Sequence, residues 1–96
     1  MDVLLTYDIE TTTRAGARRL ARVAKVCEGF GVRVQLSVFE CRLSPAALVR
    51  LTGQLTEIID NETDSVNLYR FDGSLVDART SLGRPPHRDP GQHWLL

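Results

Sequence analysis

Gly31-Val32-Arg33-Val34-Gln35-Leu36-Ser37-Val38-Phe39-Glu40-Cys41-Arg42-Leu43 is the stretch on which the fold turns. Val32, Val34, Leu36 and Val38 alternate with Arg33, Gln35, Ser37 and Phe39. In an extended chain the two sets point to opposite faces. The pattern suits one long strand, and equally two short strands with a kink near Ser37 to Glu40. Periodicity does not choose, and no Asn-Gly or Asp-Gly pair marks a tight turn.

Upstream, residues 2–9 read as a strand, and the nearly continuous apolar run Val3-Leu4-Leu5 suits a central one. Thr11-Thr12-Thr13 is a helix entry, since threonine hydroxyls cap free backbone N–H groups. The helix runs to about Glu28. Ala17, Leu20, Ala24 and Cys27 make a buried stripe that Val23 and Val26 widen, and Gly29 and Gly31 end it. Downstream, Ser44-Pro45 starts a second helix, with serine as cap and proline at the first helical position. Its stripe is Leu48, Leu51, Leu55 and Ile58. Asp60-Asn61-Glu62-Thr63-Asp64 is a polar loop. Ser65 to Phe71 is a strand, Asp72-Gly73 a turn, and Leu75-Val76 can open a short extra C-terminal strand.

With the two-strand reading the order is βαββαβ. That is the ferredoxin-like α+β arrangement, an antiparallel sheet with two helices on one face. The other face would be bare, and Tyr7, Arg33, Gln35, Ser37, Phe39 and Tyr69 are candidates for it or its edge. A bare sheet face in a small domain wants a partner, and two such sheets stacked make a homodimer.

The 96 residues make one domain. A chain this short buries only roughly 60–65% of its unfolded surface, so its core is marginal. Residues 1–78 form the folded unit, and 79–96 an extension that is mobile or docks on a partner. From Gly83 the sequence Gly-Arg-Pro-Pro-His-Arg-Asp-Pro-Gly-Gln-His has no periodicity. His87 and His93 lie there and make poor candidates for preorganised catalysis. Trp94-Leu95-Leu96 follow. No apolar run approaches the roughly 20 residues of a membrane span, and Met1 leads straight into strand-like sequence without a signal peptide. The expectation is a cytoplasmic protein with no membrane attachment. Cys27 and Cys41, with no CxxC spacing, make neither a disulfide framework nor a zinc site. Glycine-rich phosphate loops, GxSxG and HExxH are absent from the sequence.

Net charge is zero, but its distribution is uneven. Residues 1–50 carry eight Lys/Arg and five Asp/Glu, and residues 51–96 carry four and seven. The excess sits on Arg14, Arg18, Arg19, Arg22 and Lys25, with no acid among them. Such a patch is a phosphate footprint, or else an ordinary solvated helix face. Arg14, Arg18 and Arg33 suit phosphate, because guanidinium offers a planar fork that stays charged. Tyr7 and Phe39 suit stacking on bases, or else packing in a dimer interface. Ser37 shares the alternating row with Arg33. Asp8 ends the first strand before a polar loop, where it either caps the loop or binds a cation. One carboxylate is a poor magnesium site. A two-fold dimer would bring two together and let a shared cation relieve their repulsion.

The chain resembles the small CRISPR-associated nuclease of the spacer-acquisition machinery, the partner of the spacer integrase. The resemblance rests on Leu5-Thr6-Tyr7-Asp8-Ile9, on Arg18-Arg19-Leu20-Ala21-Arg22-Val23-Ala24-Lys25-Val26-Cys27, on Gly31 to Glu40 and on Asp64-Ser65-Val66-Asn67-Leu68-Tyr69, and it covers about residues 1–76. It implies a ferredoxin-like homodimer with metal-dependent phosphodiesterase activity on RNA or double-stranded DNA. It implies that Asp8 is the catalytic residue and holds Mg2+ or another divalent cation across the dimer axis. Tyr7, Arg14 or Arg18, Arg33, Ser37 and Phe39 match positions tied to activity or nucleic-acid contact. The C-terminal segment, on the same resemblance, crosses to the other subunit or docks the integrase. The function implied is an endonuclease in spacer acquisition and antiviral defence. The alternative is a non-catalytic scaffold that grips duplex DNA between integrase dimers. A ribonuclease toxin of similar fold is a third reading. A small-molecule sensor is a fourth, disfavoured by the basic helix and the lack of a glycine-rich loop.

Overall fold

A computed structural model describes residues 1–84. The elements are β1 (Asp2–Asp8), α1 (Arg14–Glu28), β2 (Gly31–Gln35), β3 (Val38–Arg42), α2 (Pro45–Ile58), β4 (Ser65–Phe71) and the single turn α3 (Leu75–Ala78). The decisive stretch is thus a hairpin, turning at Leu36-Ser37. The strands lie in the order β2-β3-β1-β4 with every neighbouring pair antiparallel. This is the expected ferredoxin-like arrangement.

β1 is central. Leu5 lies opposite Phe39 of β3 on one side and Leu68 of β4 on the other. Val3, Leu5, Tyr7, Phe39 and Cys41 pack with Val23 and Cys27 of α1 and with Leu51, Leu55 and Ile58 of α2 in one core. Each large apolar side chain sealed there contributes roughly 1.5–3 kcal/mol. Both helix starts follow their capping residues. Thr13 Oγ1 accepts from Gly16 N at 3.0 Å, and Ser44 Oγ accepts from Ala47 N at 3.1 Å. The buried line of α1 runs through Gly16, Val23 and Cys27, with Leu20 half-buried, rather than through Ala17, which is exposed. The cause is at Gly16, where a Cβ would collide with the Glu10 carbonyl. The helix is rotated to lay this glycine against the β1–α1 connection.

Two expectations about faces need correction. Between Arg33 and Gln35 the β2–β3 register shifts, so the strict alternation of 32–39 breaks. Arg33 stays opposite Phe39, and Phe39 opposite Leu5. Tyr7, Arg33 and Phe39 therefore belong to the helix-covered face of the sheet, not the bare one. Tyr69, opposite Leu4, does lie on the far face and is 53% exposed. The expected extra strand at Leu75-Val76 is instead the helical turn α3. Ser74 Oγ accepts there from Val76 N at 3.1 Å and Asp77 N at 3.4 Å, which bends the chain into a turn.

That turn also means that the far face is partly covered. Leu75 is buried, and its N–H donates to Asp2 Oδ2 at 2.8 Å. Arg42 Nε reaches Asp2 Oδ1 at 3.2 Å, and Arg79 is paired with Glu40. The Leu75 N–H holds the Asp2 carboxyl below its ordinary pKa. Asp2 and Glu40, both buried on this face, thus each take a partner from the segment after β4, and Asp2 a second from β3. Of the extension expected over 79–96, residues 85–96 lie outside the described residues, and with them His87, His93 and Trp94-Leu95-Leu96. Among the described residues no helix is long and apolar enough to cross a membrane.

Candidate functional site

The carboxyl end of β1 is tied to the tip of the β2–β3 hairpin. Tyr7 N donates to Ser37 O and the Tyr7 hydroxyl to Leu36 O, each at 3.1 Å. The Tyr7 ring is 6% exposed, and burial raises its phenol above the ordinary value against the opposing pull of Arg33. Its ring centroid lies 6.2 Å from that of Phe39, at an interplanar angle of 29°. The Arg33 guanidinium covers the other ring, 5.2 Å from the Phe39 centroid, and approaches Glu28 Oε1 at 3.5 Å. This stack of Tyr7, Phe39 and Arg33 fixes where the Arg33 charge emerges.

Asp8 is the last residue of β1, opposite Ser65 of β4. Its neighbour Tyr7 points into the core, so alternation turns Asp8 toward the far face. It is exposed, and among the described residues no group bonds its carboxylate. Among those residues no three His, Cys, Asp or Glu side chains converge as a metal cluster. One chain therefore offers a cation a single free carboxylate.

Tyr7, Asp8, Arg33 and Ser37 share the lining of one groove of about 490 Å³. Its opposite wall is the Ala17, Leu20, Ala21 and Ala24 side of α1. Phe39 lies outside it. At 0% exposure its ring is a core residue with no face to offer a base, which corrects the stacking role expected for it. Tyr7 lends the groove little more than an edge. Arg14 and Arg18 are exposed on α1 and do not line the groove. They stand one helical turn apart, with Arg22 four residues further and Lys25 beyond, next to the alanine wall. Among the described residues none of these four basic side chains is in an ion pair.

Arg19 is different, and its role escapes a reading of the sequence. Its Nε donates to Asp64 Oδ2 at 2.7 Å. The Asp64 side chain is fully buried, and it also accepts from Glu10 N at 3.0 Å, Asp60 N at 2.9 Å and the Thr63 hydroxyl at 3.2 Å. The Arg19 guanidinium, foremost among these partners, holds the carboxyl far below the usual carboxylate range. One signal was available. Arg19 falls off the face shared by Arg14, Arg18 and Lys25, so a common phosphate does not suit it. Cys27 and Cys41 are buried free thiols, pushed up by burial to about 12 and about 11, and are inert packing residues.

Comparison with known proteins adds the following. The family model described as CRISPR associated protein Cas2 matches residues 1–76. The chain is 42% identical over 89 residues to a protein of Halalkalibacterium halodurans named CRISPR-associated endonuclease Cas2, covering 93% of each. It is 51% identical over 79 residues to CRISPR-associated endoribonuclease Cas2 of Chlorobaculum tepidum, covering 82% of this chain and 81% of that one. A crystal structure of Streptococcus pyogenes Cas2 superposes with a TM-score of 0.77 at 47% identity, covering 86% of this chain and all of the other.

Proposed function

The chain belongs to the Cas2 family of CRISPR-associated proteins, and on that premise we propose that it is a homodimeric, divalent-metal-dependent endonuclease of spacer acquisition and antiviral defence. The observation that carries this reading is the exposed Asp8 carboxylate at the end of the central strand, without a partner among the described residues, beside the groove it helps to line and turned by strand alternation toward the far side of the sheet. That far side carries exposed Tyr69 and the half-buried Leu4, Thr6, Val32 and Val38. A second copy stacked there would bring two Asp8 side chains to one axis. Two carboxylates together with a substrate phosphate suit Mg2+, which keeps several of its waters. When bound, a divalent cation would supply charge for a phosphate oxygen and a nucleophilic water at neutral pH. Arg33, braced on Phe39 and Glu28, would orient the phosphodiester from the groove, with Ser37 beside it. The relatives' names divide between endonuclease and endoribonuclease, so both RNA and duplex DNA belong in the test. Purified chain should cleave labelled substrate, lose that activity on chelation of divalent cations and regain it with Mg2+. Cleavage that persists after chelation would overturn the metal reading. Such a role implies a cytoplasmic protein that meets the spacer integrase.

A second reading has its own support. Arg14, Arg18, Arg22 and Lys25 form a stripe outside the groove that has no ion pair among the described residues, as a scaffold gripping duplex DNA between integrase dimers requires. Each phosphate neutralised adds about 0.9 to the salt slope of duplex binding. Changing Arg14 and Arg18 to Ala in both subunits should weaken binding to all sequences alike. It should also flatten the slope by roughly two to four units. An unchanged slope would leave α1 as a solvated face and shift the grip to Arg33 or to the integrase.

A further inference from the structure

The backbone of Glu10, two residues past Asp8, is held from two sides. On one, the backbone of Gly16 lies against the Glu10 carbonyl, as the collision of an added Cβ shows. On the other, Glu10 N donates to Asp64 Oδ1 at 3.0 Å. Asp64 immediately precedes Ser65, the cross-strand partner of Asp8. Its carboxylate therefore joins the residue before that partner to the residue two past Asp8, and straddles the last rung of the β1–β4 ladder. The carboxylate is itself fixed. Arg19 grips it through Nε on Oδ2 at 2.7 Å and through its terminal nitrogen on Oδ1 at 3.4 Å, and Asp60 N takes Oδ2 at 2.9 Å. Three parts of the chain, the β1 exit, α1 and the α2–β4 loop, converge on one buried carboxylate that does not line the groove.

We propose that Asp64, locked by Arg19, is a positioning residue for Asp8: it sets the angle at which the Asp8 carboxylate leaves the sheet, and so the affinity of that carboxylate for a divalent cation. This rests on the reading of Asp8 as a metal ligand. A carboxylate at a strand end is free to fray with its last rung. A site needs its ligands held within about 0.5 Å, and the clamp supplies that restraint. Groups that orient a metal ligand typically change affinity by about 10–100-fold when removed.

Mn2+ alone, bound to the full chain without nucleic acid and followed by electron paramagnetic resonance, is the probe. Asp8→Asn, Asp64→Asn and Arg19→Gln are compared with the unaltered chain, each at a temperature where circular dichroism shows it folded. Arg19→Gln decides the matter. It removes a positive charge, so electrostatics alone would tighten Mn2+ binding, whereas loss of positioning weakens it. The expected result is binding weakened about 10–100-fold in Arg19→Gln and Asp64→Asn. Amide hydrogen exchange should be at least about tenfold faster at Glu10 and unchanged at Leu5, deep in the ladder. Unchanged or tighter Mn2+ binding in folded Arg19→Gln, with Asp8→Asn weakened, overturns the positioning role and leaves the metal reading standing. Mn2+ binding indifferent to Asp8→Asn overturns both. Should Asp64→Asn fail to fold, Arg19→Gln gives the answer by itself.

Discussion

Asp8→Asn is expected to yield a folded protein in which cleavage is lost and excess metal does not restore it. The amide keeps the size of the carboxylate and removes the charge a hard cation requires. Asp8 is exposed and bonds no described group, so stability should change by no more than about 0.5 kcal/mol. Activity should fall by about 100-fold or more, which is at least about 2.7 kcal/mol of barrier. Duplex binding and its salt dependence should persist, because the arginine stripe is untouched. The assay is turnover of labelled RNA and duplex DNA, together with sedimentation and binding measurements on the same preparation. Undiminished cleavage, in material shown free of contaminating nuclease, would remove Asp8 from the chemistry and favour the scaffold.

Phe39→Ala should be costly in a different quantity. The ring is fully buried between Leu5, Tyr7 and the Arg33 guanidinium. Truncating a buried phenylalanine costs about 3–5 kcal/mol. In a domain of this size each kcal/mol lowers the melting temperature by about 4–8 °C, so a fall of more than about 10 °C is expected. Activity measured well below that temperature should drop less steeply than in Asp8→Asn, through the lost seat of Arg33. A melting temperature within a degree or two of the unaltered protein would contradict the core assignment. It would return Phe39 to the surface role that its sequence position suggests.

The elements of this fold are legible in the chain because each is written locally. Thr13 and Ser44 cap their helices, Pro45 sits where its missing N–H costs nothing, and Leu51, Leu55 and Ile58 recur at helical spacing. The sides of the sheet are another matter. Which way Arg33 and Phe39 point depends on the register between β2 and β3, and a shift of one residue exchanges the two faces. The bulge between Arg33 and Gln35 and the turn at Leu36-Ser37 make that shift without a glycine or asparagine to announce it. The groove is partly legible, since residue type and spacing point to Tyr7, Asp8, Arg33 and Ser37, and these share one lining. The Arg19–Asp64 pair is not, because its partners lie 45 positions apart in chain order. Charge counts treat Arg19 as one of five equal cations on α1.

The pairing of Arg79 with Glu40 bears on where the chain can be cut. The family model stops at residue 76, which invites trimming there. Such a cut keeps Leu75 and its bond to Asp2 but discards Arg79, and leaves the buried Glu40 carboxylate without the guanidinium that neutralises it. Breaking a buried pair from one side typically costs about 3–5 kcal/mol, a large part of what a domain this small possesses. A minimal version of the protein, or a fusion joined at its carboxyl side, is therefore best designed to keep the polypeptide through Arg79. The end of the family model and the end set by charge are three residues apart, and the second is the one a folded product is expected to need.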